Sequence, residues 1–310
     1  MRGFVRALVA AGCAAVASAM LTAGPASAES AGLTQKINAY VACIKRLSER
    51  SHQSRERYFS WAGKKGPTGK EPIIYGTYTI YETTDCTKGV EKANALEPRD
   101  VAIESAASEY AAAVGALEPL LKEADDYYQQ QDYKDDKMAK GKALHPRLVA
   151  AWDRFALADQ RLRAGIDDIQ DKRAAERLVE IEAAEGRKAR YHVEALMIRA
   201  KRVLRAESAE KPDIAKITEA LGEFEAMVKA TEDFAATKGS GVGSSFLSSA
   251  KSYLVTAKHL MRRIRDKVPY SSGDRMMLNA GGGWMVEGSP PRLTRDYNGL
   301  IESYNRGVGF

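Results

Sequence analysis

The chain has 310 residues, 28% of them charged and 8% aromatic, with 47 lysines and arginines against 41 acidic residues and a formal net charge of +6. A chain of this length can build its core without a covalent staple. So small a surplus is weak as evidence for nucleic-acid binding, and no nucleic-acid partner is expected.

Met1 to Arg6 is a short basic start, residues 7–23 are apolar and small, and Ala26-Ser27-Ala28 has the small-x-small form that a signal peptidase accepts. Residues 1–28 therefore read as a signal peptide cut after Ala28. The run is too short, too alanine-rich and too interrupted by Gly24-Pro25 to be a retained span. The alternative is a membrane-anchored lipoprotein through Cys13, after Ala10-Ala11-Gly12; it would need a very short apolar run and would leave residues 14–28 as a tail. No later segment is apolar enough to cross a bilayer, so no transmembrane span is expected in the mature chain. Without Arg2 and Arg6 the mature chain carries 45 basic residues against 41 acidic ones, net +4. It keeps only Cys43 and Cys86, and an isolated pair in an oxidising compartment reads as a disulfide. The bridge closes a loop of about 44 residues, worth roughly 4 kcal/mol in the chain-entropy picture. Two buried free thiols are the alternative.

Leu33, Ile37, Tyr40, Ile44 and Leu47 recur at helical spacing, and Tyr58, Phe59 and Trp61 extend the pattern, giving a helix over 33–62. Residues 63–72 break it. Residues 73–81, rich in β-branched and aromatic residues, predict a short hairpin or extended cover. A second helix is expected over 85–96 and a third over 99–130, the latter with Ile103, Ala107, Tyr110, Val114, Leu117, Leu121 and Ala124 on one stripe. Pro146 suits the first turn of the next helix, whose face is Leu148, Trp152, Phe155, Leu162, Ile166 and Ile169. The phase slips between Gln170 and Glu176, so 147–206 reads as one long bent helix or two end to end. Ile214 to Thr231 and Phe246 to Ile264 mark two more, 269–289 reads as mostly irregular, and Ser289-Pro290 caps a last helix. The fold class is all-α, an elongated bundle of long antiparallel helices with a small extended or hairpin segment near 73–81.

Residues 125–146 interrupt this pattern with a dense polar and aromatic joint. Tyr128, Tyr133, Asp135, Asp136 and His145 form a candidate recognition corner, weighed against a helix-helix corner in which an aspartate caps the next helix and lysines pair with acids. The run lacks the alternate acids, central glycine and closing glutamate of a calcium loop. The usual serine-hydrolase, phosphate-loop and zinc-protease signatures are absent. Glu49-Arg50-Ser51-His52 is the one Glu-x-x-His, where a ferritin-type site needs two, and the four histidines lie on separate segments. No catalytic, metal or cofactor site is therefore assigned. Basic residues cluster at two expected helix ends, around Lys201, Arg202 and Arg205 and around Arg262 and Arg263, a candidate patch for an anionic surface.

Together with Gly66-Pro67-Thr68-Gly69-Lys70-Glu71 and Tyr297-Asn298-Gly299-Leu300-Ile301, the joint resembles the YiiG-like family of exported bacterial proteins, often described as lipoproteins. The likeness runs from about Ile37 to Asn305 and is most specific over Asp132 to Lys137, Gly141 and His145. It implies export and a single domain over 29–310, and it brings no catalytic residues. The expected function is a non-enzymatic, periplasmic cell-envelope protein that binds an envelope protein or an anionic surface through helical faces. The alternative is a hydrolase or metal-dependent enzyme centred on the joint.

Overall fold

The computed structural model describes residues 25–209, 211–237 and 239–307, with side chains from Ala31 onward. The expected leader through Gly24, with Cys13, and the terminal Phe310 lie outside the described residues. Among the described residues there are nine α-helices and no strand: α1 (Pro25–Phe59), α2 (Thr83–Asn94), α3 (Val101–Gln129), α4 (Ala139–Glu185), α5 (Ala189–Glu207), α6 (Ile214–Ala235), α7 (Ser244–Arg265), α8 (Ser272–Asn279) and α9 (Pro290–Gly307). The all-α class follows. The chain divides into two compact units, one running to Ile166 and one from Asp167, with α4 contributing to each.

In the first unit α1 packs on α2 and α3, and α2 packs on α3. The whole stripe expected on α3 is buried, together with Tyr40, Ile44 and Leu47 of α1 and Leu148, Trp152, Phe155 and Leu162 of α4. Tyr58 sits at the centre of an aromatic cluster, with ring centroids 5.3 Å from Trp61 and 5.4 Å from Trp152. Cys43 and Cys86 form the expected disulfide, joining α1 to α2 with a Cα–Cα distance of 5.2 Å. Replacing both cysteines with alanine should cost this unit about 4 kcal/mol, the loop entropy returned to the unfolded chain. Denaturant unfolding checks this, and a loss below about 1 kcal/mol would show that packing alone holds α1 and α2 together.

Two expectations are corrected, and two that carried alternatives are resolved. Of the two alternatives for residues 73–81, the structure has the extended cover and not the hairpin; the segment lacks regular structure, and side chains of α1 and the turn after it take up its backbone groups. Ser54 Oγ donates to Tyr78 O at 2.6 Å and accepts from Tyr78 N, while Arg57 Nε donates to Tyr75 O and Trp61 Nε1 to Gly76 O, both at 2.9 Å. A lone β-prone segment with no second strand must satisfy its polar groups some other way. Pro146 does not open a helix, because α4 starts at Ala139, where the Asp136 carboxylate accepts from Ala139 N and Lys140 N. The cap decides the start, and the proline is carried inside at the loss of one backbone hydrogen bond. Of one bent helix or two over 147–206, the structure has two, α4 and α5, and the interruption falls at Gly186, which takes a left-handed φ of 75°, rather than at the phase slip near 170–176. Residues 269–289 also contain α8, started by a capping box between Ser271 and Asp274.

The second unit packs α5 on α6 and α9, and α7 on α6 and α9. Its core holds Val193, Leu196, Val203, Phe224, Phe246, Tyr253, Leu293 and Leu300.

Candidate functional site

The joint between α3 and α4 is built by short-range capping and by the Gly66–Glu71 loop that closes over it. Thr68 N and Oγ1 and Gly69 N all donate to the Glu71 carboxylate. Burial opposes ionisation of Glu71, but these donors hold its pKa below the usual carboxylate range. The loop's glycines let it approach: a Cβ on Gly66, at φ 100°, would stand 3.1 Å from the His145 ring, and one on Gly69 3.3 Å from Met138 Cβ. Two segments that carried the family likeness are thus one packed unit.

Within the joint, Tyr128 is buried in the core, and its hydroxyl has no hydrogen-bond partner among the described residues. Tyr133 is half-buried against the rings of Tyr127 and Tyr128. Asp136 is spent on the α4 cap and on Tyr127 Oη at 2.8 Å; His145 Nδ1 lies 2.9 Å from Tyr58 Oη, and Asp135 is exposed. Of the joint lysines, Lys140 pairs with Glu123 and lies over the Tyr127 ring, and Lys134 donates to Gln131 Oε1.

Two buried polar networks were invisible to stripe reading. Asp159 accepts from Ser48 Oγ at 2.6 Å and Arg163 Nε at 2.9 Å, with His52 Nε2 3.4 Å away. Burial disfavours its charge, and the bonds from His52, Arg163 and Ser48 override this and lower its pKa. Serine and histidine here bond the same carboxylate rather than each other, so the arrangement does not activate a nucleophile. In the second network Lys36, fully buried, donates to Glu104 Oε1 at 2.5 Å and Pro98 O at 2.7 Å, and Arg99 and Asp100 N also bond Glu104. Among the described residues no group of three or more His, Cys, Asp or Glu is placed to hold a metal ion.

The two expected basic clusters differ in how far they are neutralised. Arg205 pairs with Asp167 and Asp171, Lys201 reaches Gln170 and Asp167, and Arg202 meets Glu223 at 3.1 Å. These side chains knit α5 to its neighbours within the second unit. At the end of α7, by contrast, Arg263 bonds only the backbone carbonyls of Val268, Pro269 and Glu287 and lies over the Tyr270 ring. Arg262, Lys267 and Arg275 have no carboxylate within ion-pair reach among the described residues. The nearby acids are committed elsewhere: Asp266 to Arg265, which lowers its pKa, Asp274 to Ser271, which does the same, and Glu287 to His259. A pocket of about 510 Å³ opens here, lined by His259, Arg262, Arg263, Asp266, Asp274 and Glu287 together with Val268 and Gly288. Residues 251–310 hold ten lysines and arginines against five acids, a surplus of +5.

Residues 31–306 match a family described as protein of unknown function (DUF3829). The chain is also 39% identical over 288 residues, 91% of its length and 81% of the relative's, to an Escherichia coli K12 protein named uncharacterized protein YiiG. No solved structure matches.

Proposed function

We propose that this chain, which belongs to the DUF3829 family of proteins of unknown function, is a non-enzymatic cell-envelope protein that binds an anionic partner or surface through the α7–α8 end of its second unit. Export to the periplasm, with lipidation at Cys13 as the alternative anchor, is part of this reading and is supported by the Cys43–Cys86 disulfide, a bond that persists in oxidising compartments. The observation that carries the binding role is a set of cations left without carboxylate partners, Arg262, Lys267 and Arg275, near an open pocket that Arg262 lines, in a net-basic stretch of the chain. Unneutralised cations on one face attract anions at long range, and paired ones such as Arg205 do so far less. The joint offers less for recognition, since Asp136 and His145 already serve the fold.

Soluble polyphosphate tests the charge requirement alone. Binding by the chain from Glu29 onward should weaken about tenfold in the triple variant Arg262→Ser, Lys267→Ser, Arg275→Ser at low salt, with melting unchanged because these side chains are exposed. Arg202→Ser, in a neutralised cluster, should bind like the parent. Equal binding by parent and triple variant would overturn the reading.

A further inference from the structure

We infer that α8 and the turn over Gly283–Met285 form a membrane-docking surface whose occupant is a bilayer containing anionic lipid. This rests on the anionic-surface reading above and names its substrate.

The first support is an unusual set of exposed apolar side chains. Met276 is 66% exposed, Val268 49%, Met285 46% and Trp284 45%, all within eighteen residues. Apolar residues scattered singly need no explanation, but an aromatic and two methionines on one short segment of a polar surface do. Tryptophan in particular places an apolar body and a polar N–H at a water–lipid boundary.

The second is that the segment is mounted rigidly. Beneath Trp284, Gly283 and Val286 are buried, and Ser289 Oγ, fully buried, donates to Gly283 O at 2.8 Å. The Met277 and Met285 methyl groups converge over Gly282, where an added Cβ would come within 2.9 and 3.1 Å of them. Tyr270 Oη ties to Gly288 O at 3.0 Å, and Arg263 holds the carbonyls at both ends of the segment. The exposed side chains are therefore displayed by a fixed scaffold rather than by a loose loop.

The third is charge. Arg262 and Lys267 precede this segment and Arg275 lies on α8, where it donates to Tyr270 O; none has a carboxylate partner among the described residues, and Arg295 stacks over the Trp284 ring at 4.9 Å. Apolar side chains that insert shallowly, ringed by cations that meet lipid phosphates, are the features of an interfacial anchor. A protein partner would more often meet an apolar core depleted of charge.

The experiment is sedimentation with phosphatidylcholine vesicles, with and without phosphatidylglycerol, together with tryptophan quenching by brominated acyl chains. The chain should bind only the phosphatidylglycerol vesicles. Quenching should be seen in the parent and lost in Trp284→Phe, because Trp152 is buried and Trp61 packs against Tyr58. Trp284→Ser should weaken vesicle binding roughly tenfold and leave polyphosphate binding unchanged, and each cation removed should weaken it about fivefold. Absence of binding to phosphatidylglycerol vesicles, or binding without Trp284 quenching, overturns the docking surface. If polyphosphate binding survives that result, the anionic reading stands and only the lipid inference falls. Should Trp284→Ser fail to fold, quenching of the parent protein alone decides the matter.

Discussion

Replacing Glu104 with glutamine should cost the first unit about 3–5 kcal/mol, the usual penalty for leaving a buried charge without its counter-ion. The Lys36 ammonium has no access to water, and its partners are Glu104 and the Pro98 carbonyl. Glutamine keeps the shape but presents a neutral group to a fixed positive charge. It also weakens the bonds from Arg99 and Asp100 N that orient the carboxylate. Lys36→Met should be costly alone and cheaper in the Glu104→Gln background, because the second change removes a charge already stranded. The acid dependence has a definite sign. Hydrogen bonds from Arg99 and then Lys36, against burial, bring the Glu104 pKa down to about 2. A depressed carboxylate contributes stability that is fully present above its ordinary pKa, near 4.5, and is lost as pH falls toward about 2. Denaturant unfolding followed by Trp61 and Trp152 in a Trp284→Phe background reports on this unit. A cost below about 1 kcal/mol, with unchanged acid sensitivity, would mean that Lys36 finds another counter-charge.

What could be read in advance follows from what periodicity encodes. On α3 the spacing of Ile103, Ala107, Tyr110, Val114, Leu117 and Leu121 predicts a buried face, and all six are buried, since that face is fixed by 3.6-residue geometry alone. The disulfide was legible because only two cysteines remain after the expected leader. For residues 73–81 the sequence left hairpin and extended cover both open, because strand propensity says nothing about whether a partner strand exists. Lys36 and Glu104 lie 68 residues apart, and a stripe reading assigns both to solvent, so a buried pair between them leaves no local trace. Trp284 and Met285 sit beside three glycines with no helical or strand period, and the same composition that marked the stretch as irregular concealed a side-chain display. The joint was visible as an interruption, but which of its polar groups face the chain rather than solvent depends on the distant Gly66–Glu71 loop and on Tyr58.

Replacing Glu207 with methionine should stabilise the second unit at alkaline pH by about 3–5 kcal/mol and change it little near pH 5. Glu207 ends α5 with 2% of its surface exposed, and neither carboxyl oxygen has a hydrogen-bond partner among the described residues. The helix end offers no help, because carbonyl dipoles there disfavour a negative charge. Burial pushes the Glu207 pKa up to about 8, so the fold holds it as a neutral acid under conditions in which the unfolded chain ionises it. Between about pH 4.5 and 8 the folded state therefore binds a proton that the unfolded state has released, and stability falls as pH rises through that window, levelling off above it. Methionine matches the length of the side chain, is unbranched and carries no ionisable group, so it fits the same space and abolishes the slope. Tyr253, whose hydroxyl donates to Ala200 O at 3.1 Å, is packed close enough to feel the Glu207 charge, and its phenol is raised further by it. Ionised Glu207 would disturb that neighbour as well. The check is a melting series for parent and Glu207→Met from about pH 5 to 9, in which the two curves should diverge up to about pH 8 and then level off. Parallel curves would show that Glu207 reaches solvent or a counter-charge in the folded protein and titrates as an ordinary carboxylate.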